Sequence, residues 1–178
     1  PNYDPQETIT KEIGTKWDLI EGAKSLAGAD FRTETKNART TNAQGLLEYV
    51  GHRRVTGVEL SATGRPLPFW NLFAGYSFMD SKVVSAGENP TAASLIAVGK
   101  PFPNTPRNSF TAQTDFIIAE RFTLGGGAIY NSRQYGSFGA DNVTRSIDPY
   151  WRVDLNAAAR INDNVEVRVN AQNLLNER

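Results

Sequence analysis

Arginine and tyrosine side chains gather in or beside the longest polar stretches of the sequence. The set comprises Arg39, Tyr49, Arg53, Arg54, Arg133, Tyr135 and Arg145. Guanidinium groups form ion pairs and stack on aromatic rings, so these residues could hold an anionic ligand that carries aromatic groups. The competing interpretation is a solvated rim, or charges that pair with Asp and Glu on neighbouring strands. The seven residues are the candidate ligand site that the sequence predicts.

Few other residues offer chemistry. The chain contains one histidine, His52, and no cysteine, which excludes disulfides, thiolate chemistry and metal sites built on several His or Cys. Gly99-Lys100 lacks the upstream glycine of a phosphate-binding loop, and Gly75 to Met79 lacks the second glycine of a nucleophile elbow. We therefore expect no enzyme activity and no cofactor. A formal net charge of zero gives no overall attraction to nucleic acid.

The elements that would position these side chains are extended strands. Apolar and polar residues alternate along most of the chain, most clearly from Tyr150 to Asn173, where Asn162-Asp-Asn164 marks a tight turn. The same pattern predicts eight strands at about 7–19, 26–36, 49–63, 69–84, 108–119, 122–135, 150–161 and 165–173. The second strand also has a charged face, formed by Asp30, Arg32, Glu34 and Lys36. Gly125-Gly-Gly127 falls inside a strand, where it favours bending or the close approach of another segment.

The lengths of the strands and of their connections favour a membrane barrel. Predicted turns near residues 23, 66, 120 and 163 are short, whereas 37–45, 85–107 and 136–148 form longer polar loops. The strands reach about 10 to 15 residues, against about 5 or 6 in soluble sheets and about 9 to 11 in membrane-spanning strands. Short turns at one end and long loops at the other are typical of outer-membrane barrels. The predicted fold is all-β, an antiparallel up-and-down meander of about eight long strands within a larger barrel.

Other all-β interpretations stay open on the pattern alone. A sandwich in water alternates apolar and polar residues as a barrel in lipid does, so a soluble all-β binding module is one alternative. A small complete barrel of eight strands, acting as a structural anchor or adhesin, is another. In the barrel interpretation the lipid-facing residues include Val153, Leu155, Val165, Val167 and Val169.

Several motifs, taken in order, resemble one family. They are Glu12-Ile-Gly-Thr-Lys-Trp17, Arg54-Val-Thr-Gly-Val-Glu-Leu-Ser61, Pro103-Asn-Thr-Pro-Arg107, Val153-Asp-Leu155 and Asn170-Ala-Gln-Asn-Leu-Leu-Asn-Glu-Arg178. Together they resemble the C-terminal part of the barrel of TonB-dependent siderophore receptors, closest to the ferric-catecholate type. The resemblance covers nearly the whole chain.

This resemblance implies a fold and a function. Such receptors are closed barrels of about 22 strands with a plug in the lumen, in the Gram-negative outer membrane and in contact with its lipid. They bind a ferric siderophore at the outer face and import it with energy relayed by TonB. The iron arrives already chelated, so protein metal ligands are not expected, and a ferric tris-catecholate would suit an arginine- and tyrosine-rich rim. By the same resemblance, residues 1–178 are an incomplete C-terminal segment without the plug, the early strands and the last strand.

Overall fold

The computed structural model describes residues 4–19, 24–41, 47–87, 90, 92–138 and 144–177. Extended chain dominates this part of the protein. Its elements are β1 (Glu7–Leu19), β2 (Lys24–Thr41), β3 (Leu47–Leu67), β4 (Trp70–Ser85), α1 (Ala92–Ala97), β5 (Asn108–Ile118), β6 (Phe122–Asn131), β7 (Gln134–Phe138), β8 (Thr144–Ile147), β9 (Tyr150–Asn162) and β10 (Val165–Ala171). No helix among the described residues is long and apolar enough to cross a membrane.

The strands form one antiparallel sheet of eight, with a small hairpin beside it. The order in the large sheet is β1-β2-β3-β4-β5-β6-β9-β10, and β7 pairs only with β8. Each strand of the large sheet therefore lies next to its neighbour in the chain, except where the hairpin is inserted between β6 and β9. The predicted all-β meander of eight long strands is confirmed.

Several boundaries differ from the sequence prediction. β2 runs from Lys24 to Thr41, so the first part of the predicted loop 37–45 belongs to this strand. The sixth strand ends at Asn131 rather than near 135, because its partner β5 begins at Asn108. The Ser132 N–H makes the last hydrogen bond of this pair, to the Asn108 carbonyl at 2.9 Å. Part of the predicted loop 136–148 then belongs to β7 and β8, and residues 139–143 lie outside the described part. β3 continues to Leu67 through a register shift after Gly64, so the chain reverses at 68–69. The stretch 85–107, predicted as irregular, contains α1. Most of the predicted turn at 21–24 and the middle of the loop 37–45 also lie outside the described residues.

The register gathers apolar side chains on one face of the sheet. One row across six strands runs Gly28, Leu60, Tyr76, Phe110, Tyr130 and Trp151. The rings of Tyr130 and Trp151 lie 4.9 Å apart on this face. Most of its large side chains are exposed; Leu60 is 52% and Val169 63% accessible. The described chain packs no second layer on this apolar face, as a soluble sandwich would, and the exposure is what the membrane-barrel interpretation predicts.

The charged face of β2 has an unexpected position. Asp30, Arg32 and Glu34 share the apolar face with Leu26, since all four are even-numbered positions of one strand. Phe31 lies on the opposite, polar face. The apolar face therefore becomes charged towards the end of β2 that leads into the longer connection.

The opposite face is polar and its side chains bridge neighbouring strands. Asn156 Nδ2 on β9 donates to Asp115 Oδ1 on β5 at 3.0 Å, and Gln113 Nε2 donates to Asn156 Oδ1 at 3.3 Å. Both contacts cross β6 above Gly125 and Gly127. A Cβ at Gly125 would lie 1.9 Å from Asp115 Oδ1. The prediction that these strand glycines permit a close approach is confirmed.

The strands are strongly staggered. Lys24, the first residue of β2, connects through successive register partners Gly64, Leu72, Thr114, Gly126 and Leu155 to Ala171, the last residue of β10. A line perpendicular to the strands thus passes from one end of the sheet at β2 to the other end at β10. Staggered register with tilted strands is the arrangement that closes sheets into barrels.

Candidate ligand site

A strap, residues 92–104, folds over the polar face at the end of the sheet that carries the longer connections. It begins with α1 and is held to β4 by three hydrogen bonds. Gly99 N–H donates to the Val83 carbonyl at 2.8 Å, Val83 N–H donates to the Lys100 carbonyl at 3.0 Å, and Phe102 N–H donates to Ser81 Oγ at 3.0 Å. The strap therefore has a defined position above the sheet.

The few buried side chains of the described chain lie around this strap and the adjoining strand ends. Val83 and Ala86 are 3% and 7% exposed, and Ser81 and Ser94 are also buried. Gly51 brings β3 against this region: its φ is +80°, and a Cβ there would lie 2.0 Å from the Ser85 carbonyl oxygen. Only glycine combines that conformation with that approach. Among the described residues, the buried side chains of the sheet are therefore concentrated at the end that carries the longer connections.

Arg53 is the candidate residue whose side chain lies against an aromatic ring of the strap. Its guanidinium carbon lies 5.3 Å from the centre of the Phe102 ring, and its buried Nε has no hydrogen-bond partner among the described residues. Arg53 precedes Val58 by five residues on β3. It therefore lies past the apolar band, towards the end of the sheet with the longer connections. Burial lowers the pKa of this guanidinium, although arginine stays protonated in proteins. A cation with an unused donor thus lies on the polar face beside an aromatic ring.

Arg54 lies on the other face of the sheet. Its Nε donates to Glu34 Oε1 at 3.0 Å, and Arg32 contacts the same carboxylate. His52 Nε2 is 3.7 Å from Glu34 Oε2. Consecutive residues of a strand point to opposite faces. Arg53 and Arg54, adjacent in sequence, therefore do not converge on one ligand.

Arg39 and Tyr49 are register partners on β2 and β3. The Arg39 guanidinium donates to the carbonyl of Asp4, and its backbone N–H donates to Gln6 Oε1 at 3.3 Å. Arg39 is therefore bound to the segment that precedes β1. The Tyr49 side chain lies outside the described part of the chain.

The remaining three candidates belong to the inserted hairpin and its approach. Arg133 Nη2 donates to Asp148 Oδ1 at 2.7 Å in an exposed ion pair. Arg145 on β8 is exposed, opposite Ser137. The Tyr135 carbonyl accepts a hydrogen bond from Asn104 N–H at 2.7 Å.

The strap joins the two groups of candidates. α1 contacts both β3 and β7. Phe102 lies against Arg53, and Asn104 binds the backbone of Tyr135. Sequence reasoning did not include Phe102 or Asn104; an aromatic residue between Pro101 and Pro103 in a polar loop was the available signal. The strap thus contacts the Arg53 side chain through Phe102 and the Tyr135 backbone through Asn104.

The groups in this arrangement are suited to binding a ligand. Within the described ranges, no three His, Cys, Asp or Glu side chains are close enough to hold a metal ion. The groups present are a guanidinium, aromatic rings and backbone donors, which recognise anions and flat ring systems.

Comparison with known proteins identifies the family. A family profile described as "TonB dependent receptor-like, beta-barrel" matches residues 1–174. The probable TonB-dependent receptor BfrD of Bordetella pertussis is 34% identical over 97% of this chain and 23% of its own length. The catecholate siderophore receptor Fiu of Escherichia coli K12 is 30% identical over 97% of this chain and 22% of its own length.

Solved structures of siderophore receptors are also similar to this chain. The crystal structure of the siderophore receptor PiuA from Acinetobacter baumannii superposes with a TM-score of 0.83 at 34% identity, covering 98% of this chain and 25% of that one. The closed form of the ferric-catecholate import receptor Fiu gives a TM-score of 0.79 at 30% identity, covering 98% and 24%. This chain spans about a quarter of the length of the relatives it matches. The resemblance found in the sequence motifs is confirmed, and the chain belongs to the TonB-dependent receptor family, to whose β-barrel it corresponds.

Proposed function

We propose that this chain forms part of the wall and outer rim of an outer-membrane receptor that binds and imports a ferric siderophore with energy supplied through TonB. The names of Fiu and PiuA, as siderophore receptors, support the ligand class. Fiu, named for catecholates, favours an anionic ferric catecholate among such ligands. Residues 1–178 would be a C-terminal segment of the barrel in this proposal.

Two unpaired edges support the need for further strands. β1 pairs only with β2, and β10 pairs only with β9, so each leaves one row of backbone groups without a partner among the described residues. Such edges are very costly in lipid, because no water is there to satisfy them. The proposal therefore includes additional strands that close the barrel and a plug within its lumen.

The observation that carries the ligand proposal is Arg53 against Phe102 on the polar face. Arg53 lies beneath the strap, which carries Phe102, at the end with longer connections. In outer-membrane barrels this end faces outward. A catecholate complex offers negative charge to the guanidinium and ring faces to Phe102. Tyr135, Arg145 and Arg39 would complete the rim. Arg54 is not part of this proposed site, because it lies on the apolar face bound to Glu34.

Binding and uptake by the full-length protein would test the proposal. We expect Arg53→Ala to weaken binding of a ferric tris-catecholate by about tenfold or more, since a charge-assisted contact contributes about 1.5–3 kcal/mol. Phe102→Leu should weaken it less, because the ring face is lost but an apolar side chain remains. Arg168→Ala is the matched control: it removes a guanidinium from the polar face of β10, remote from the strap.

Fluorescence quenching would give the affinity, and radioactive iron uptake in a receptor-deficient strain would give transport. An uncharged ferric trihydroxamate serves as the comparison ligand. Equal affinity in Arg53→Ala and the unaltered protein would refute the role of Arg53. Failure of any ferric chelate to enter cells that carry the unaltered protein would refute the import function itself.

A further inference from the structure

A chain of side-chain hydrogen bonds crosses three strands at the base of the β7–β8 hairpin. Ser109 on β5 is the register partner of Asn131 on β6, which is in turn the register partner of Tyr150 on β9. Ser109 Oγ donates to Asn131 Oδ1 at 3.1 Å, and Asn131 Nδ2 donates to the Tyr150 hydroxyl oxygen at 2.9 Å. Tyr150 lies on the polar face, because the next residue, Trp151, lies on the apolar face. The chain of bonds therefore ends at a tyrosine on the face that a barrel turns to its lumen.

The direction of these bonds decides what the Tyr150 hydroxyl can still do. A phenolic hydroxyl can donate one hydrogen bond and accept others through its oxygen. The Asn131 carbonyl oxygen accepts from Ser109, which leaves the NH₂ group of the same amide to face Tyr150. Among the residues that the structure describes, none accepts the hydroxyl hydrogen of Tyr150. Hydrogen bonds in a chain polarise one another, so this hydroxyl is a strengthened donor that is available to a ligand.

Tyr150 lies between the inserted hairpin and a hollow on the polar face. β6 ends at Asn131 and β9 begins at Tyr150, so the hairpin, which carries two of the candidate residues, leaves the sheet at this pair. Beside the pair, a hollow of about 610 Å³ has Ser109 and Asn131 among its lining residues. Arg152 follows on the same face of β9, half-exposed and 3.1 Å from Asp154 Oδ2. A ligand that enters next to the hairpin would find both space and a hydroxyl donor here.

We propose that Tyr150 is a ligand-binding residue that donates its hydroxyl hydrogen to an anionic oxygen of the imported ferric chelate. Asn131 is then a positioning residue, because it holds the Tyr150 hydroxyl in the donating orientation. The carboxylates that line the same hollow, Glu12 and Glu59, belong to β1 and β3. They lie at least four strand spacings from Tyr150, or about 19 Å along the sheet, too far to repel an anion there strongly. The inference rests on the proposed function, and it adds a contact on β9 to that of Arg53 on β3.

Two substitutions in the full-length protein test this inference. Tyr150→Phe keeps the ring and removes the hydroxyl, so we expect the affinity for a ferric tris-catecholate to fall about tenfold or more. The loss should be smaller for an uncharged ferric trihydroxamate, whose oxygens carry less negative charge. Ser109→Ala frees the Asn131 amide to rotate and accept from Tyr150, which competes with the ligand and should cause a smaller loss. In Tyr150→Phe/Ser109→Ala the second substitution should have no further effect, because the hydroxyl that it reorients is absent.

Tyr76→Phe is the matched control. The Tyr76 hydroxyl donates to Asn108 Oδ1 of the neighbouring strand at 2.7 Å, but it lies on the apolar face, so its loss should leave the affinity unchanged. Fluorescence quenching would give the affinities, and a urea titration would show that each variant is folded.

Three results would each overturn the inference. They are equal affinity in Tyr150→Phe and the unaltered protein, the same loss in Tyr76→Phe, and an equal effect of Ser109→Ala with and without the Tyr150 hydroxyl. If the unaltered protein imports the ferric tris-catecholate while one of these results is found, this inference alone fails. If the unaltered protein neither binds nor imports any ferric chelate, the proposed function fails, and this inference fails with it.

Discussion

Val169→Arg provides the sharpest test of which face meets lipid. Val169 is 63% exposed on the apolar face and is the register partner of Ala157. On β9 the apolar face runs from Trp151 to Ile161, so Ala157 is six positions from one end and four from the other. Val169 therefore lies near the middle of the band, where arginine on the lipid face costs about 2–4 kcal/mol.

A cost of 2 kcal/mol corresponds to a fall of about 30-fold in the folding equilibrium constant. Val167→Arg should cost less, because Val167 is two residues, or roughly 5 Å of membrane depth, nearer the turn in a tilted strand. Asn170→Arg is the matched control, since Asn170 is adjacent on β10 but lies on the polar face. Urea titration of the full-length protein in phosphatidylcholine vesicles, followed by tryptophan fluorescence, would measure all three. A loss in Asn170→Arg equal to that in Val169→Arg would show that the faces are wrongly assigned.

Three further substitutions test local geometry by the same unfolding titration. Gly51→Ala should destabilise the protein by more than Gly99→Ala. Both glycines have positive φ, which costs an alanine about 1–2 kcal/mol. Of these two, only Gly51 would also bring a Cβ to 2.0 Å from a backbone oxygen. Equal losses would mean that the end of β4 moves aside without cost. Gly125→Ala should lower the free energy of unfolding by about 1–3 kcal/mol, because its Cβ displaces Asp115 from Asn156. Gly75→Ala should be near neutral, because its Cβ meets only an ordinary 3.4 Å contact. A larger loss for Gly75→Ala than for Gly125→Ala would contradict the bridge between Asp115 and Asn156. Asp148→Asn should change stability by less than about 1 kcal/mol, because its ion pair is exposed, and a larger loss would show that the pair is shielded from solvent.

Long alternating strands could be located from the sequence, because a strand with one apolar and one polar environment on its two faces alternates apolar and polar residues. β1 was predicted with the bounds that the structure has, and β5 and β9 to within one residue. The boundaries that were missed share a cause. β6 ends early because its partner β5 begins at Asn108, opposite Ser132, and β3 ends late because of a register shift after Gly64. Neither leaves a periodic signal in the sequence.

For the candidate site too, the sequence indicated the residue types but not which of them lie together. Residue types alone indicated a surface for an anionic, aromatic ligand, and Arg53 and Tyr135 were among the residues named. Sequence could not separate Arg53 from Arg54, because their opposite faces follow from the register of β3 with its neighbours. It could not include Phe102, since that contact depends on how the strap folds across β4.

The sequence by itself determined the class of fold, the family and the kind of chemistry available, because periodicity, motif order and composition are properties of the chain. Tertiary structure alone decided which charges meet. Register placed Lys11 opposite Arg32 and Arg54 opposite Lys82, and it continued the apolar face of the sheet into a charged patch. These are relations between residues distant in sequence, and only the pairing of strands, which fixes their alignment to the residue, creates them.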